Sequence, residues 1–184
     1  KEIKLQEHRI GLTPESVKVL VERNHEVLVE NNGGLEAGFT NQDYLEVGAK
    51  IINTPEEIFK KAELIVKVKE PQLNEVNMIR EGQIIYTYLH LAAAKQLTLG
   101  LMNSKSICIA YETVTDDDGR LPLLAPMSAV AGRMSIQAGA HCLEKNQKGR
   151  GLLIGGAPGV ESANVVILGG GVVGENAAII ATGM

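Results

Sequence analysis

A histidine just past an apolar run is the first candidate for chemistry in this sequence. His90 lies in Tyr88-Leu89-His90-Leu91-Ala92-Ala93, directly after Gln83 to Thr87, which reads as a strand. It therefore stands at or just past a C-terminal strand end, where α/β sheets open their ligand crevice. Imidazole chemistry near neutral pH suits proton transfer coupled to hydride transfer. Lys69 is placed the same way after Leu64 to Val68, with Lys67 on the same face of that strand. A cation there can hold a carboxylate or polarise a carbonyl. Arg9, just ahead of the first helix signal, carries a planar fork that can grip a carboxylate bidentately. Each has a plainer alternative: His90 as a histidine satisfied in the core, Lys69 as a solvated lysine, and Arg9 undecided on spacing alone. His8, His25 and His141 have no comparable placement. Asp116-Asp117-Asp118-Gly119 lacks EF-hand spacing and reads as a solvated turn, and no Cys/His spacing indicates a metal.

A second constellation lies near the other end. Val165 to Leu168 is fully apolar, Gly169, Gly171 and Gly174 follow it as GxGxxG, and Glu175 to Met184 continues as a small-residue helix. The spacing predicts a strand, a tight turn and a helix whose N-terminal amides and dipole face a pyrophosphate. Gly169 permits the turn, Gly171 admits the phosphates, and Gly174 lets helix and strand pack closely. The alternative is a glycine-rich turn with no ligand. The acid that grips the ribose hydroxyl is expected about 20 residues farther on, past Met184, so these residues do not separate NAD from NADP.

The elements that must position these groups alternate. Thr13-Pro14-Glu15 and Thr54-Pro55-Glu56-Glu57 each supply a helix start, the second with a capping box between Thr54 and Glu57. Strands are predicted at 26–30, 64–68, 83–87 and 106–110, with helix-compatible segments near 72–79 and 94–104. Apolar strands separated by helical crossovers predict one parallel sheet covered on both faces. Residues 1–127 thus read as an α/β substrate domain. Residues 128–184 read as a connecting helix (128–144), a glycine-rich flap or hairpin (149–160) and the first βα unit of a Rossmann dinucleotide-binding domain. Both ends look cut, with no signal peptide at the start.

Composition narrows the partners. A net charge of −4, with Lys and Arg scattered among acids, provides no footprint for nucleic acid. No apolar run approaches the ~18–20 residues that span a bilayer. Cys108 and Cys142 stand far apart without a CxxC, which fits reduced, buried thiols in a cytoplasmic protein.

Taken in order, Lys1 to Lys4, Glu7 to Pro14, Val66 to Pro71, Tyr88 to Ala92, Leu121 to Ser128 and Gly169 to Gly174 with Asn176 to Ala178 resemble the alanine dehydrogenase family along essentially the whole chain. The resemblance implies reversible oxidative deamination of L-alanine to pyruvate and ammonium with NAD as coenzyme, in a homo-oligomer, a hexamer. It also implies roles: His90 as the acid/base group, Arg9 and Lys69 as substrate-binding cations, and Ser128, Val172 and Val173 as NAD contacts beside Gly169, Gly171 and Gly174. The family's later aspartate, and the return of its chain to complete the first domain, lie outside these residues. Two alternatives are the related transhydrogenase alpha subunit, which exchanges hydride between nucleotides, and a non-catalytic fragment serving in binding or assembly.

Overall fold

The computed structural model describes residues 1–184. The chain divides into two compact units, Lys1–Val114 and Thr115–Met184.

In the first unit, Thr13 caps helix α1 (Pro14–Glu22), accepting from the Ser16 amide, and Pro14 occupies the first turn, where its missing N–H costs nothing. Strand β1 (Leu28–Glu30) pairs in parallel with β2 (Lys50–Ile52), with Leu28 opposite Lys50. Between them lies α2 (Asn41–Glu46), started by a full capping box of Thr40 and Asp43. Thr54 likewise caps α3 (Pro55–Lys61), but the reciprocal half of its expected box is missing, because the Glu57 carboxylate turns to Lys61 one helical turn on. Three further strands, β3 (Leu64–Val66), β4 (Ile84–Thr87) and β5 (Ile107–Ala110), form a second parallel sheet in the order β3-β4-β5. The crossovers are α4 (Leu73–Val76) and α5 (Lys95–Ser104).

The expected single sheet is thus two parallel sheets, each with its own core. Val17, Val27, Val29, Tyr44 and Ala49 pack beneath β1-β2. Phe59, Ile65, Ile79, Ile85, Leu89, Leu97 and Leu101 form the larger cluster around β4, whose Ile85 is fully enclosed. Coverage is uneven, since Ile107 and Ile109 on β5 remain exposed.

In the second unit, helix α6 (Ala125–Cys142) begins three residues before the expected connecting helix, with Pro126 in its first turn. It packs against α7 (Val172–Gly183) through a close approach: a Cβ at Gly132 would lie 2.2 Å from the Val173 carbonyl oxygen. Between them the glycine-rich passage closes a turn by an antiparallel bridge between Ala157 and Val160, in keeping with a hairpin. Val165 to Leu168 differs from expectation, because it belongs to no ladder. A strand exists through its neighbour's hydrogen bonds, and this run has no neighbouring strand, so Val166 and Leu168 are 83% and 95% exposed. Cys142 also departs from expectation. It ends α6 on the solvent side as an exposed free thiol, whereas Cys108 is half-buried. No helix is long and apolar enough to cross a membrane.

Candidate active site at the strand ends

Parallel strands deliver their C-termini to one edge of a sheet, and here that edge gathers the chemistry. Val66 lies opposite Tyr86, and the Tyr88 amide still donates to the Val68 carbonyl beyond the ladder. Continuing this alternation brings residues 69–70 beside residues 89–90. On the other side Thr87 is paired with Ala110, so Glu112 follows alongside Leu89 and His90.

His90 leaves β4 in the left-handed region, at φ 51° and ψ 37°, an uncommon conformation for a residue with a side chain. The Glu112 carboxylate holds it there, accepting from the His90 amide at 2.7 Å and from the Leu89 amide at 3.0 Å. Burial pushes the Glu112 carboxyl up, but the converging amides of His90 and Leu89 and the charge of His90 bring it below the usual carboxylate range. The imidazole is half exposed, its Nδ1 3.6 Å from Glu70 Oε2. Tyr88 stands beside the ring at 6.0 Å and packs edge-on against Tyr111, whose phenol burial pushes up.

The N-terminal segment closes over the end of β3. Glu2 accepts from the Val68 amide at 2.6 Å, and Lys4 is ion-paired to Glu70. Arg9 lies farther along this segment, and its guanidinium meets a carboxylate bidentately as its fork geometry favours. That carboxylate is Glu7, reached by Nε at 2.8 Å and Nη2 at 2.7 Å. Arg9's hydrogen bonds, reinforced by its charge and that of Lys69, lower the Glu7 carboxyl to about 2 despite burial. The same charges act on their surroundings across this edge: Arg9 on Tyr88, and His90 on Glu70 and Glu112. Arg9, Lys69 and His90 therefore share one edge of the sheet.

Lys67 does not join them. The strand stops at Val66, and Lys67 turns inward to a buried pair of carboxylates, Glu75 at 2.8 Å and Glu2 at 3.3 Å. Such a triad fixes the chain leading to Lys69, since an unpaired buried ammonium would be costly. A separate cleft of about 850 Å³ runs along Val27 to Glu30 and Glu63 to Lys67, and none of Arg9, Lys69 and His90 lines it.

In the second unit, Ser128, Gly169, Gly171, Val172, Val173 and Gly174 all line one cavity of about 760 Å³. Gly169 takes φ +102°, and a Cβ on Gly174 would come within 1.9 Å of the Gly169 carbonyl oxygen, so glycine is required at both. Gly171 is different. A Cβ there would meet nothing within 4 Å, although the residue starts α7 with no side-chain cap. The turn thus offers an uncapped helix N-terminus beside open space, which fits a pyrophosphate.

Sequence reasoning did not nominate Glu2, Glu70 or Glu112. Their partners are 66, 20 and 22 residues away, a separation that leaves no local spacing to detect.

A parallel sheet with cations and an imidazole at its strand ends, and a glycine turn opening a helix in a second unit, define an α/β protein with a Rossmann-type nucleotide-binding element. The chain belongs to the alanine dehydrogenase/PNT family, whose N-terminal domain matches residues 1–131 and whose C-terminal domain matches residues 135–184. It is 54% identical over its whole length to an alanine dehydrogenase of Halomonas elongata and 53% identical to one of Methanococcus maripaludis, covering 50% and 49% of those proteins. It thus spans about half the length of these relatives. A solved L-alanine dehydrogenase superposes with a TM-score of 0.90 at 51% identity, over all of this chain and 50% of the other. A transhydrogenase from Sinorhizobium meliloti superposes with a TM-score of 0.79 at 23% identity, over 99% and 52%, and shares the fold.

Proposed function

We propose that this chain supplies the substrate-binding half and the opening of the coenzyme site of an NAD-dependent L-alanine dehydrogenase, which interconverts L-alanine with pyruvate and ammonium. The observation that carries the reading is the gathering of Arg9, Lys69 and His90 at one edge of the β3-β4-β5 sheet, where ligands of α/β proteins bind. Residues 1–127 form the substrate domain in this reading, and residues 128–184 begin the coenzyme domain.

Arg9, held in plane by Glu7, and Lys69 bind the substrate carboxylate and polarise its carbonyl. NAD, held at the glycine turn, would supply the hydride acceptor for the alanine α carbon. Water then adds to the imine. Once the nitrogen of the resulting carbinolamine carries the proton that the added water gave up, His90 takes the hydroxyl proton as the C–N bond breaks and neutral ammonia leaves, and returns it in the reverse direction. Ser128, Val172 and Val173 contact the coenzyme, and the turn from Gly169 to Gly174 receives its pyrophosphate. The protein works as a soluble cytoplasmic homo-oligomer, a hexamer by likeness to the family.

The test is alanine-dependent NADH formation by the full-length polypeptide carrying this sequence. Replacing His90 by Ala should slow both directions by roughly 10²- to 10⁴-fold, with NADH binding kept. Full turnover by H90A removes His90 from the reaction, and exchange of hydride between nucleotides without alanine favours a transhydrogenase instead.

A further inference from the structure

Glu70 has one carboxylate oxygen that the fold leaves unmatched. Its Oε1 is tied to Lys4, while its Oε2 is buried and accepts no hydrogen bond. Stranding a carboxylate oxygen away from water is costly, so such an atom calls for a donor. The His90 ring supplies one, with Nδ1 at 3.6 Å. This is an ion-pair separation, longer than a hydrogen bond, and the pairing requires the half-exposed ring to move closer. Neither partner is loose. Lys4 stops the carboxylate from turning away, and Glu112 fixes the His90 backbone through its amide.

We propose that Glu70 is the positioning carboxylate of His90: it holds the proton on Nδ1 and so leaves Nε2 as the nitrogen that exchanges protons with substrate. The proposal rests on the reading of His90 as the acid/base group and adds which nitrogen acts. A neutral imidazole donates from one nitrogen and accepts at the other, and the partner of the first decides the tautomer. The side chain is 53% exposed, which leaves room for a ligand to reach it. Other charged or titratable groups face the pair: Lys4 from the N-terminal segment, Tyr88 from the end of β4, itself under the charge of Arg9, and Glu112 from beyond β5. Burial pushes the Glu70 carboxyl up, yet the Lys4 hydrogen bond and the charges of Lys4 and His90 carry it below the usual range, so it is anionic at neutral pH.

Two measurements on the full-length protein test the pairing. Solid-state ¹⁵N spectra of histidine-labelled wild type, with H90Q as the subtraction, report the His90 tautomer at alkaline pH. The Nδ1–H form should dominate, and a dominant Nε2–H form overturns the proposal without any change at Glu70. The same spectra of E70Q should show the ratio of the Nδ1–H to the Nε2–H form of His90 fall at least about threefold, because the partner that holds the proton on Nδ1 loses its charge, and E70D should restore part of the preference. An E70Q protein whose His90 keeps the wild-type tautomer ratio overturns the pairing. Alanine-dependent NADH formation by the same wild-type sample reports separately on the assigned reaction. Failure of that assay with an Nδ1–H tautomer discards the enzyme reading and keeps the pairing.

Discussion

At the scale of single residues, the site is organised by carboxylates that grip backbone or cations. Glu112 gathers two amides and so allows His90 its left-handed turn, Glu2 pins the amides beyond β3, and Glu7 fixes the plane of Arg9. Glu7 makes a pH prediction with a definite sign. Its carboxyl falls from the ordinary 4.5 to about 2 in the fold, chiefly through the Arg9 hydrogen bonds. A depressed carboxyl contributes stability that is complete above the unfolded value and is lost as pH falls through the folded one. Wild type should therefore be more stable than E7Q above about pH 4.5, with the advantage fading toward pH 2. Urea unfolding of both proteins in steps across this range measures the difference. A gap that stays constant with pH would show that Glu7 is not the group that titrates.

At the scale of elements, the glycine turn separates two roles that the sequence motif joins. At Gly174 a Cβ would strike the Gly169 carbonyl, whereas at Gly171 it would enter open space at φ −79°, a conformation any residue accepts. G174A should therefore destabilise the second unit by about 1–3 kcal/mol, the usual cost of overpacking. G171A should keep its melting temperature and lose coenzyme affinity, about tenfold or more, since the added methyl occupies the place proposed for the pyrophosphate. Thermal melts and NADH fluorescence titrations of the full-length variants distinguish the two, and G171A binding NADH as tightly as wild type would move the pyrophosphate elsewhere. Legibility in the sequence followed the same division between local and distant causes. The strands β1, β3, β4 and β5 and the caps Thr13 and Thr54 announce themselves through apolar runs and N-terminal signals. The three-residue β2 is too short to show a period, and the box of Thr40 with Asp43 uses an acid shorter than the usual Glu. Val165 to Leu168 has the composition of a strand, yet pairing depends on a neighbour that composition does not describe. His90 and Lys69 stood out because strand ends in α/β folds present ligands, and Arg9 because its fork ahead of the first helix can grip a carboxylate. The acids that hold them did not, because their contacts are created only by the sheet's register.

At the scale of the whole molecule, the two units are unequally finished. The first has two hydrophobic clusters, whereas the second has one small cluster, of Ile136, Ile154 and Ala177, and leaves Val166 and Leu168 in water. An extended apolar segment with unpaired backbone groups is a template for association. The cavity proposed for the coenzyme likewise has the turn and the N-terminus of α7, which suit a pyrophosphate, while adenosine and nicotinamide require further strands of the nucleotide fold. Hydride transfer needs donor and acceptor held at about 3–3.5 Å in a closed site, and the alanine dehydrogenases that resemble this chain are twice its length. A polypeptide of these 184 residues alone should therefore bind NADH weakly, self-associate through the segment 165–168, and form no NADH from alanine. Replacing Val166 and Leu168 by Thr should reduce that association, because neither side chain contributes to a core. Light scattering and an alanine assay, with the full-length protein as control, decide the matter. Turnover by the 184-residue chain within tenfold of that control would mean that the coenzyme site is already complete in these two units.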